Sequence, residues 1–177
     1  MRSVNILILA AASMLFPSLL MAQQKPAWQL QWGLNGGRAT GTYFGWALGG
    51  DLRLEKGICD RTSLLFTTGF THFFEKDKIA FTQHSGYGSP YNVIPVKAGI
   101  KRYIGNWYLA GEAGAGLAFE QWGHAFAWSS AAGYACSNGI DISLRYEDFT
   151  NTGDTKQLVL RLAYGLRLSR QPAASKP

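Results

Sequence analysis

Cysteine and charge are both scarce in these 177 residues, and each shortage narrows the possibilities. Two cysteines cannot build a disulfide-dense scaffold or a four-thiolate zinc site. Charged residues make up 16% of the chain and aromatics 14%, which is not the composition of a disordered protein. After Leu20 no long uninterrupted apolar run occurs, so no helix of that region is built to cross a bilayer. Metal-ligand spacings, a glycine-rich phosphate loop and a dinucleotide fingerprint are all missing. The 21 glycines keep no three-residue period, which excludes collagen. The length suits one domain, with or without a leader.

A leader is what the first residues predict. Arg2 precedes an apolar run from Ile6 to Leu20, broken by Pro17, and Met21-Ala22-Gln23 follows. A basic start, a short apolar core and a small residue before a polar one is a secretory signal, with cleavage after Ala22. Residues 1–22 are therefore read as signal peptide, 23–168 as the folded unit and 169–177 as a polar tail.

From Trp28 onward the apolar period is two, the period of β-strands. Leu30, Trp32 and Leu34 open the series, then Phe44, Trp46, Leu48, Leu52 and Leu54, then Leu64, Phe66, Thr68 and Phe70. Ile94, Val96, Ala98 and Ile100 make a fourth segment; the fifth and sixth run through Trp107–Phe119 and His124–Tyr134. Ile140–Tyr146 and Leu158–Leu168 complete eight. Segments of roughly 10–13 residues are longer than soluble strands and suit a tilted membrane crossing. Tight turns at Gly105-Asn106 and Ser137-Asn138 mark one end, with Glu55–Asp60 as the third connection there. The longest connection, Glu75–Pro90, falls at the other end. Short periplasmic turns and long outer loops are the pattern of an outer-membrane barrel.

A soluble lipocalin-like barrel would show the same alternation with the apolar face inward. The second face decides between them. It carries Gly45, Ala47, Gly49, Gly69, Gly99, Gly114, Gly116, Ala127, Ser129, Ala131, Gly133, Ala163 and Gly165. A solvated face would not favour glycine, which weakens strands, whereas a narrow lumen needs small side chains. The expected fold is all-β: an eight-stranded antiparallel up-and-down transmembrane β-barrel.

The stretches Val93–Asn106, Leu109–Gly116, Gly139–Glu147 and Leu160–Leu166 resemble the small outer-membrane β-barrel proteins of Gram-negative bacteria, with OmpA/OmpX-type architecture. The resemblance covers essentially the whole chain after the leader and speaks to architecture rather than activity. Barrels of that type usually end on an aromatic residue. Here Leu168 is followed by a polar tail to Pro177, so Tyr164 and Leu168 are the residues left to carry the assembly signal.

Five charges fall on the inward phase near mid-height: Lys97, Glu112, Arg145, Glu147 and Arg161. A Lys or Arg facing lipid there would cost ~2–4 kcal/mol, so these residues are assigned to the lumen. Paired, they make a plug; a gated ion path is the alternative, and Glu112 with Arg145 is the pair expected across the lumen. His72, His84 and His124 lie near the outer rim, and His84-Ser85 beside Asp77 gives the alternative of an enzyme acting on lipid A. Cys59 and Cys136 both belong to the periplasmic end, on strands that are not neighbours, so only a turn folded across the base could bridge them.

The leading expectation is a non-enzymatic barrel in the cell outer membrane, acting through its extracellular loops. Phe81, His84, Tyr87 and Tyr91 are the candidate partner-binding residues of the long loop, since loops of that length are usually functional. Expected contacts are outer-membrane lipid and lipopolysaccharide, the barrel-assembly machinery during insertion, and an unidentified surface partner. No cofactor, metal or nucleic acid is implied; the basic residues behind the pI of about 9.4 are scattered, not clustered on one surface.

Overall fold

A computed structural model describes residues 28–41, 44–76, 91–119, 123–150 and 155–169. Eight strands follow one another: β1 Trp28–Ala39, β2 Phe44–Cys59, β3 Thr62–Glu75, β4 Tyr91–Ile104, β5 Trp107–Ala118, β6 His124–Ala135, β7 Ile140–Phe149 and β8 Gln157–Ser169. Each pairs antiparallel with its sequence neighbours, and β1 pairs with β8 to close the barrel. Closure leaves no free sheet edge.

The alternation in the sequence becomes two faces of opposite character. Leu34, Leu48, Phe66, Ile100, Leu109, Phe126, Leu144 and Leu160 are exposed on the outside, while Gln31, Asp51, Arg53, Lys97, Glu112 and Arg161 are buried inside. Water would favour the reverse arrangement; a hydrocarbon surround favours this one.

Three local features depart from the simple pattern. A register shift between Phe44 and Trp46 turns Phe44 into the lumen, although its place in the alternation puts it outside. The extra residue of such a bulge exchanges the two faces of the strand beyond it. The second connection is also shorter than expected: β2 runs to Cys59, so the turn is Asp60-Arg61 rather than Glu55–Asp60. Glu55 and Lys56 look like turn residues because they are charged, yet Glu55 points inward to a partner cation. Finally, Pro95 lies within β4, where a missing N–H should break a ladder. The β3–β4 register passes from Thr68–Val96 to Thr71–Val93, skipping the pairs beside Pro95.

The lumen is layered. At the loop end Phe44, Phe73, Tyr91, Val93 and Phe149 form an apolar cluster with small residues such as Ala47 and Ala127. At the tight-turn end Leu65, Tyr108, Ala110 and Ala131 form another, with Tyr103 packed against it. Charge occupies the space between.

Candidate functional site

Among the described residues ten charged side chains are buried on the inward face: the cations Arg53, Lys97, Lys101, Arg145 and Arg161, and the carboxylates Asp51, Glu55, Glu112, Asp141 and Glu147. Five of each sign balance. An isolated ion in so dry a place would be very costly, so the arrangement of partners decides whether the barrel is stable.

Eight of the ten form one alternating chain. Lys97 pairs with Glu147, and Glu147 lies 3.6 Å from Arg145. Arg145 reaches Asp51 at 3.5 Å, and Asp51 holds Arg161 at 2.6 Å. Arg161 approaches Asp141 at 3.6 Å, Asp141 meets Lys101 at 2.9 Å, and Lys101 meets Glu55 at 3.2 Å. Every cation in this run except the terminal Lys97 lies between two carboxylates, and the links tie β4, β7, β2 and β8 together across the lumen. The remaining pair stands apart: Arg53 Nη2 donates to Glu112 at 2.7 Å.

Neutral groups add hydrogen bonds to most of these charges, while Arg53 Nη1 and Arg145 Nε have none among the described residues. Arg53 Nε donates to Thr67 at 3.0 Å, and the Thr67 hydroxyl donates to Glu112. Gln157 and Asn35 donate amide hydrogens to Glu147 and Asp51, both at 2.9 Å. Tyr103 and Tyr108 donate to Glu55 at 2.7 Å and to Asp141 at 2.5 Å. Lys101 also lies 3.9 Å from the Tyr108 ring centroid, so the lower tyrosines contact both signs of charge.

The five inward charges expected from sequence are all in the lumen, but their pairing differs. Glu112 bonds Arg53, and Arg145 bonds Asp51 and Glu147, so the Glu112–Arg145 pair is replaced. Judging height by counting along each strand ignores stagger, which brings β2 level with β5. Asp51, Arg53, Glu55, Lys101 and Asp141 were not among the expected members. Strand parity would have found them: each lies an even number of residues from a recognised inward position.

Tyr91 is a correction. Assigned to the long loop as a contact residue, it is instead the first residue of β4, fully buried against Phe44 and Phe73. An aromatic next to a loop can close the lumen from inside as readily as face outward. Phe81, His84, Ser85 and Tyr87 lie outside the described residues, as do the leader and the tail beyond Ser169. His72 lies outside the lumen, its Nδ1 2.6 Å from the Asn92 amide oxygen. Cys59 and Cys136 are both free thiols. Among the described residues no cluster of His, Cys, Asp or Glu is placed to hold a metal ion.

The fold has known counterparts among small outer-membrane barrels. The outer-membrane protein Ail of Yersinia pestis matches with a TM-score of 0.54 at 14% identity, covering 78% of this chain and 99% of its own. Neisserial surface protein A matches with a TM-score of 0.50 at 15% identity, over 80% and 97% of the two chains. A de novo designed transmembrane β-barrel matches at 0.53 and 14% identity, over 81% and 99%. At such identities the likeness is one of fold. No protein-family model and no curated protein matches the sequence.

Proposed function

We propose that this chain is a non-enzymatic barrel of the outer membrane, closed by its own side chains and acting at the cell surface through its loop-end connections. The observation that carries the reading is the inverted polarity: ten neutralised charges inside and an apolar belt outside. The aromatic cluster at one mouth and the tyrosine layer at the other favour a seal over a conducting path. With the interior occupied, the surface available to a partner is the loop end, where the longest stretch of sequence between two strands, residues 76–90, joins β3 to β4. The related fold of Ail offers a precedent, since that protein has been crystallised with the heparin analogue sucrose octasulfate.

Fractionation and crosslinking test this reading. The protein should sediment with outer membrane and migrate differently in SDS before and after heating. A photocrosslinker at Gly86 should capture a surface component in intact cells, while one at Asn138 should not. Recovery as a soluble periplasmic protein would contradict it.

A further inference from the structure

We propose that Lys56, Arg61 and Arg102 form a headgroup site for anionic phospholipid on the outside of the barrel at its tight-turn end. The starting point is charge placement. Among the described residues the lumen holds five cations against five carboxylates, so it contributes nothing to the chain's net charge of +6. Among the described residues the tight-turn end exposes Lys56, Arg61, Arg102 and Arg167 against the single acid Asp60. At the loop end, exposed Arg38 and Lys156 and half-buried Lys76 stand against exposed Glu75 and buried Asp148, and Lys76 is already held by the Gly41 carbonyl at 2.7 Å. The larger described excess of positive charge is therefore at the tight-turn rim.

Three of these cations converge on one side. Lys56 and Arg102 occupy outward positions, because the inward phase is set by Arg53 and Glu55 on β2 and by Lys97 and Lys101 on β4. Lys56 is level with Leu64 of β3, and Arg102 pairs with Thr62. Arg61 sits in the turn between them, its carbonyl accepting the Tyr103 N–H at 2.8 Å. Only β3 separates the outer two, so their backbones lie about 10 Å apart laterally, within the joint reach of a lysine and an arginine. Arg167 follows the inward parity of β8 and belongs to the mouth, outside this patch.

The surroundings specify a membrane headgroup. On the neighbouring exterior Trp28 is level with Lys56, and Trp107, beside Tyr134, is level with Ile104 two residues from Arg102; such aromatics mark a membrane interface. Between them, across β2 to β4, the outer face carries Lys56, Leu64, Thr62 and Arg102. Lys56 also lies 4.9 Å from the ring centroid of Trp28, which steadies it in the interface. Cations there meet lipid phosphate, and a negatively charged headgroup gains more from them than a zwitterionic one. The site rests on the membrane-spanning reading and adds to it a preferred lipid.

The test is competition for the folded barrel between phosphatidylglycerol and phosphatidylethanolamine, read by native mass spectrometry of the lipid retained. The unmodified protein should retain phosphatidylglycerol preferentially. K56Q/R61Q/R102Q should lose the preference, by about fivefold per charge removed. R38Q/K156Q, at the opposite rim, should keep it. Raising salt from about 0.1 M to about 1 M should weaken it in the unmodified protein, a measurement that does not depend on any variant folding. Preference that survives the triple substitution, falls equally in the loop-end variant or ignores salt would overturn the site. Failure of the membrane reading would look different, because no heat-modifiable form would then appear in either lipid.

Discussion

Arg161 of β8 reaches Asp51 of β2 by passing over Gly33 of the strand between them. Its Nη2 lies 2.6 Å from Asp51 Oδ1, and a Cβ at Gly33 would stand 3.0 Å from its Nε. The guanidinium thus bridges the seam where the barrel closes, and the small residue beneath it makes room. Asp51 also serves Arg145, so removing it leaves two buried cations short of a partner. Asp51→Asn should destabilise the folded barrel by about 3–5 kcal/mol. Adding Arg161→Gln should cost less than the sum of the singles, with a coupling of about 0.5–3 kcal/mol. Urea unfolding in lipid vesicles measures both, and additive losses would mean that the contact contributes nothing.

Glu112 offers a sharper comparison, because it has one ionic partner at bonding distance, Arg53. The cycle Glu112→Gln with Arg53→Gln should show strong coupling, and Glu112→Gln with Arg145→Gln a weaker one. Equal coupling in both cycles would return Arg145 to Glu112.

Gly133 faces Tyr108 across the β5–β6 pair. A methyl group at that position would overlap the tyrosine ring, whose hydroxyl is bonded to Asp141 at 2.5 Å. Gly133→Ala should therefore cost about 1–3 kcal/mol by overpacking. Restored stability in Gly133→Ala with Tyr108→Phe would point to overlap with the hydroxyl; restoration only with Tyr108→Leu would point to the ring itself.

Cys136, just beyond β6, has a thiol pKa raised by burial and by the nearby negative charge of Asp141. Less thiolate is present at a given pH, and thiolate is the reactive form. Alkylation of Cys136 in the Cys59→Ser variant should lag behind an unstructured cysteine peptide at neutral pH and gain on it as pH rises. A rate matching the peptide throughout would show that the turn exposes the thiol.

Strand number, closure and the direction of the faces were legible because a period of two survives in almost every segment. Phe44 and Glu55 show where that reading stops. One was displaced by a bulge, which no local pattern announces, and the other looked like turn chemistry while belonging to a strand. The charged lumen was half legible. Parity tells which side chains point inward, but the partners depend on strand stagger, a property of the closed barrel. Arg145 therefore could be placed in the lumen from sequence yet not matched to Asp51.

Single-channel recording tests the central claim most directly, with insertion verified by protease protection in the same preparation. A lumen filled by balanced ion pairs between two aromatic layers predicts a flat baseline from fully inserted protein. Reproducible conductance steps of one size would mean that ions pass through the barrel, and would contradict the plug.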